Sequence, residues 1–111
     1  MKEENRCLDL HDDIRRQFII TEKSGIGAIW KTYSTLTHCH EKCWEQLSAI
    51  CMAAEERISE VSDCEVISAY LAMLDMIDSL AAENLEEPAD YHSFCKSRAN
   101  WEAHFWRTIQ W

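Results

Sequence analysis

Residues 24–58 read SGIGAIWKTYSTLTHCHEKCWEQLSAICMAAEERI, and their apolar side chains recur at alternating steps of three and four. One row runs through Ile26, Ile29, Tyr33, Leu36, His40, Cys43, Leu47, Ile50 and Ala54, with His40 its one polar interruption. A second row beside it holds Trp30, Thr37, Trp44, Cys51 and Ile58. Lys31, Ser34, Thr35, Glu41, Lys42, Glu45, Ser48, Glu55 and Glu56 occupy the opposite side and are nearly all polar. This is the spacing of a helix that packs along a seam, sustained for about four heptads. A single helix over 24–58 would be about 50 Å long, more than the width of a compact domain of this size. The stretch therefore predicts a long central helix on which the rest of the chain packs.

The rest of the chain agrees with an all-α fold. It has 111 residues, 47 % of them hydrophobic, with two glycines and one proline. That is one domain by length, apolar enough to bury a core and too poor in turn residues for a sandwich or barrel. Cys7, Leu10, Ile14 and Phe18 mark a first helix near 4–20, whose single narrow stripe suits the outside of a bundle. Residues 1–22 are equally readable as a loosely packed helix or arm. Gly25 and Gly27 loosen the following turn, where Ser24 is the expected N-cap. Gly-Ile-Gly here is no phosphate loop, since a third glycine and a preceding strand are missing.

Ser62 with Glu65 reads as a capping box opening a helix over 63–84. Val66, Ile67, Tyr70, Leu71, Met73, Leu74, Met76, Ile77 and Leu80 spread over an arc of about 200° on that helix. So wide an apolar arc calls for neighbours on two sides or for a subunit contact. Pro88, preceded by Glu86 and Glu87, suits the first turn of a last helix over 88–109. Its apolar side holds Tyr91, Phe94, Cys95, Trp101, Phe105 and Ile109. Arg98 falls inside that arc with Glu102, and its expected counter-charge is Asp78 at the margin of the preceding helix. The sum is a bundle of about four helices.

Net charge is −9, and residues 59–90 carry Glu60, Asp63, Glu65, Asp75, Asp78, Glu83, Glu86, Glu87 and Asp90 without a Lys or Arg. Direct nucleic-acid binding, which needs a basic face, is disfavoured. An acidic strip is most often a solvated surface, but it also steers a protein toward a basic partner. The charged N-terminal stretch and the lack of a membrane-spanning run predict an intracellular, cytoplasmic protein whose six cysteines are reduced. Cys43, Cys51 and Cys64 then serve as small hydrophobes in apolar rows.

Chemistry is sparse. His40 and Cys43 lie one turn apart on the central helix, as do His92 and Cys95 on the last. Were the two pairs to face each other, they would supply the nitrogen and sulfur set of a structural zinc site. Buried cysteines in helices are more often packing residues, so no metal or other cofactor is expected. A Cys–His nucleophile around 38–43 would lack an oxyanion hole, and no Glu-x-x-His pair for a di-iron bundle occurs. An enzyme is not expected.

The C-terminus concentrates Trp101, Trp106 and Trp111 in eleven residues. Trp106, Trp111, Phe105 and Ile109, with Asp75, Glu83, Glu86 and Glu87, are the expected partner-binding residues. Met73, Met76, Leu80, Trp30 and Trp44 are the expected dimer contacts, since the overlong central helix and the spare apolar arc of 63–84 both favour a homodimer. The functional expectation is a non-enzymatic, acidic regulator or inhibitor that occupies a surface of a larger protein, with no membrane role. Examples are an anti-activator of a transcription regulator, or a mobile-element inhibitor of a nucleic-acid-handling defence enzyme. The alternatives are a structural homodimer and a helical zinc protein.

Overall fold

The helix expected over 24–58 is two helices. The computed structural model describes residues 6–40 and 43–109, with side chains for 10–39, 43–101 and 103, and these form five helices and no strand. They are α1 (Arg6–Glu22), α2 (Ile26–His40), α3 (Trp44–Glu60), α4 (Cys64–Asn84) and α5 (Pro88–Ile109). The molecule measures 37 × 34 × 25 Å, so an unbroken helix of about 50 Å would overshoot every dimension. Cys43 has an extended backbone, φ −109 and ψ 107, and its carbonyl accepts from the Leu47 amide at 3.0 Å, opening α3.

No glycine or proline makes this break. The last turns of α2 are instead built from Thr, His and Cys, all weak helix formers. The Thr35 hydroxyl donates to the Lys31 carbonyl at 3.0 Å, and buried Thr37 donates to that of Tyr33 at 2.9 Å. Such back-bonding competes with the backbone ladder and bends helices. Tertiary packing then rewards the break, because Ile29 and Tyr33 of α2 and Leu47, Ile50 and Cys51 of α3 all reach one core.

The central helix is α3 alone. Every residue from Leu47 to Glu55 is buried. Ser48, Ala49, Ala53 and Ala54 are small, which lets neighbouring helices approach closely around the whole helix. Helices α1, α4 and α5 each pack on it. Ser48 and Glu55, expected on a solvent side, are therefore enclosed, and the Ser48 hydroxyl lies 2.7 Å from that of Ser97 in α5.

Helix α1 docks on α3 rather than standing off as an arm. Ile14 and Phe18 enter the core, and the Phe18 ring meets Tyr70 of α4 edge-on at 5.1 Å. Gly25, with φ +104, sits in the left-handed region that a side chain would strain. Its carbonyl accepts from the amides of Ala28 and Ile29 at 3.1 and 3.3 Å, so Gly25 rather than Ser24 holds the position before α2. The start of α4 also shifts by one residue. The Asp63 carboxylate accepts from the amides of Glu65 and Val66, and Ser62 precedes the cap. Helix α5 starts at Pro88, as its sequence indicates.

Candidate functional site

Among the described residues, Leu71 and Met76 on α4 and Tyr91 on α5 are exposed large apolar side chains, as is Ile20 on α1. Met73, Ile77 and Ala81 turn inward and are fully buried. On opposite flanks of the outward side, Leu71 is 51 % exposed and Met76 48 % exposed. Tyr91 of α5 is exposed and close enough to Asp78 to feel its charge. Its hydroxyl titrates above the ordinary tyrosine value, chiefly through its hydrogen bond and charge interaction with the Cys95 thiol, with Asp78 adding to the effect.

Asp75, Glu83, Glu86 and Glu87 are all exposed on α4 and the turn that follows it. Asp78, on the same helix, meets Arg98: the guanidinium Nη1 donates to the Asp78 carboxylate, as expected from the sequence. Tyr91 and Cys95, expected in the buried arc of α5, are on the surface, whereas Phe94 is buried. Residues of α5 three apart diverge in this way because the helix covers α3 and α4 with a narrow side only.

The expected dimer contacts separate. Met73 belongs to the core and leaves no surface for a second copy. Met76 is open, Leu80 is half-buried, and Trp30 and Trp44 pack half-buried against the core. Trp30 meets Tyr33 edge-on with ring centroids 5.5 Å apart. Folding the long helix in two also removes the length argument for a dimer. Of the expected aromatic anchors, the side chains of Phe105, Trp106 and Ile109 and the whole of Trp111 lie outside the described residues.

The two His/Cys pairs fall only partly within the described residues. His40 ends α2, its side chain outside the described set, while Cys43 precedes α3. His92 and Cys95 are exposed on α5, and α2 and α5 do not form a packed pair. Among the described residues no group of three His, Cys, Asp or Glu side chains is placed to hold a metal ion. Cys51 is wholly buried and its thiol is pushed far up by that burial, so it packs as a small hydrophobe. Cys64, read the same way from sequence, is exposed. No described helix is long and apolar enough to cross a membrane.

The most organised polar constellation escaped the sequence. Glu22, the last residue of α1, accepts two hydrogen bonds from Arg57 of α3, Nε to Oε2 and Nη2 to Oε1, each 2.8 Å. Tyr70 of α4, fully buried, donates its hydroxyl to Glu22 Oε2 at 2.5 Å. Arg57 also donates to Glu60 at 2.5 Å. Farther along α1, Arg15 reaches Glu60 at 3.4 Å and Glu56 at 3.2 Å, and His11 Nε2 lies 2.6 Å from Glu56. Burial drives the Glu22 carboxyl upward, but Arg57 and Tyr70 outweigh it and hold the carboxyl below its ordinary value. Burial, and then the Glu22 carboxylate, push Tyr70 upward, and Glu22 raises Arg57. The set fastens α1, α3 and α4 to one another.

The chain matches no family model, and no significant match arises among curated proteins or solved structures.

Proposed function

We propose that the protein is a non-enzymatic, acidic helical regulator or inhibitor that acts by occupying a surface of a larger protein. The observation that carries this reading is the outward side of α4, where half-exposed Leu71 and Met76 stand among carboxylates. Residues 59–90 contain no Lys or Arg to neutralise those carboxylates. Apolar side chains gain from being covered, and the exposed carboxylates of Asp75 and Glu83 steer a basic partner toward them. A regulator of a nucleic-acid-handling protein fits, since such proteins present basic surfaces. The C-terminal tryptophans, Trp106 and Trp111, extend the proposal as aromatic anchors.

Affinity capture from a native lysate tests it, with immobilised wild-type chain and a Trp106→Ala, Trp111→Ala control. A single protein retained near stoichiometrically by the wild type, released by salt and lost with the control supports the reading. Absence of any specific partner, together with a tight homodimer in light scattering, replaces it with a structural homodimer. That second reading draws on the same exposed Leu71 and Met76.

A further inference from the structure

Tyr33 enters the core from α2, only 4 % exposed, and among the described residues its hydroxyl has no hydrogen-bond partner. Buried hydroxyls are nearly always satisfied, because an unmade bond costs the full desolvation of the group. The ring itself is well accommodated. It shares one core cluster with Leu47, Ile50 and Cys51 of α3 and meets Trp30 edge-on at 5.5 Å.

The surroundings of the hydroxyl are not wholly apolar. Cys51, wholly buried, is close enough for a charge on its thiol to be felt at Tyr33, yet the two groups make no direct hydrogen bond. Glu55, one turn farther along α3 and 6 % exposed, acts on the same thiol. So does the pair formed by Arg98 of α5 and Asp78 of α4. Polar groups from four helices thus converge on one part of the core.

We propose that one internal water molecule bridges the Tyr33 hydroxyl and the Cys51 thiol. A separation too long for a direct bond and short enough for electrostatic contact is what one bridging molecule spans. Hydroxyl and thiol each donate and accept, and water does both toward each of them. An internal water needs at least two polar partners, which this place supplies. Other occupants suit it less. An apolar molecule leaves the hydroxyl unsatisfied, and an anion meets the buried Glu55 carboxylate. For a metal ion, no group of three His, Cys, Asp or Glu side chains is in place among the described residues. Tyr33 and Cys51 are both buried, so the proposal stands apart from the regulator reading.

Magnetic relaxation dispersion of the solvent, which counts long-lived internal waters, tests this on the full chain and on Tyr33→Phe and Cys51→Ser variants. Thermal midpoints are measured alongside. Tyr33→Phe deletes one oxygen and keeps the ring against Trp30. It should lose the contribution of one water and lower the midpoint by about 4 °C. Cys51→Ser puts a hydroxyl in place of the thiol and should retain that water. Loss of one water in Tyr33→Phe without a rise in midpoint supports the proposal. The same dispersion in wild type and Tyr33→Phe overturns it. So does a raised midpoint in Tyr33→Phe, the result expected of a dry hydroxyl, or loss of the water in a folded Cys51→Ser. Should Cys51→Ser not fold, Tyr33→Phe decides alone.

Discussion

Arg57 in α3 grips the carboxylate of Glu22 at the end of α1 through two parallel hydrogen bonds of 2.8 Å, across 35 residues of chain. Planar guanidinium and planar carboxylate meet as forks, which fixes both distance and angle between the helices. Tyr70 adds a third donor from α4. One carboxylate thus ties the first helix to the two that carry most of the core.

This geometry sets an acid limb to stability. Glu22 titrates below its ordinary value of 4.5 in the folded chain. The unfolded state therefore binds the proton first as pH falls, and stability contributed by Glu22 is present above 4.5 and lost as pH drops through the lower folded value. Glu22→Gln should cost about 1–2 kcal/mol at neutral pH, the site being partly open to solvent, and little below the folded value. Urea titrations of both proteins across the acid range check this. Parallel pH profiles would show that the Arg57 fork adds no charge-dependent stability.

The break between α2 and α3 gives an opposite-signed prediction. Cys43 occupies the N-cap position of α3 but makes no side-chain capping bond. Cys43→Ser supplies a capping hydroxyl to the amides of the first turn and should stabilise by about 0.5–1 kcal/mol. In an unbroken helix the same change would be neutral or unfavourable. The midpoint of urea unfolding decides.

Phe18 tests whether α1 is integral. Its side chain is wholly buried against Tyr70, so Phe18→Ala should cost about 3–4 kcal/mol, with the denaturant slope unchanged. A loss below about 1 kcal/mol would mean that α1 detaches without disturbing the core.

Arg98 and Asp78 meet across α4 and α5, yet Asp78 remains 53 % exposed. An ion pair so wet contributes about 0–1 kcal/mol. Arg98→Met should therefore leave stability within about 1 kcal/mol of wild type, because methionine keeps the buried part of the stem packed. A loss of several kcal/mol by calorimetry would make the pairing a requirement of the fold.

Local patterns were legible where one element decides them. The Ile14 and Phe18 stripe and the start of α5 at Pro88 both follow from periodicity and backbone chemistry. The Arg98–Asp78 contact was legible too, because each residue sits at the margin of an apolar arc on successive helices. The exposed positions of Asp75, Glu83, Glu86 and Glu87 followed from charge alone.

The rest needed distance information that spacing does not hold. Glu22 and Arg57 each look like ordinary surface charges, and nothing in either helix announces the other. Ser48 and Glu55 read as the polar side of an amphipathic helix and are enclosed because three helices converge on α3. Cys64 and Cys95 read as packing residues and stay exposed because no neighbour arrives.

The stretch 24–58 shows the division most clearly. Its three-four spacing, by itself, determined a helical period within each half, placing Ile29 with Tyr33 and Leu47 with Ile50. Whether they form one helix or two is a global question. A seam continues smoothly across residues 40–44 on paper, and the helix preference is weak just before it, where Thr35, Thr37, His38, Cys39 and His40 end α2. Tertiary structure decided it. A folded-back pair buries both halves against one core and lets α1, α4 and α5 close around α3, which a straight 35-residue rod could do only along part of its length.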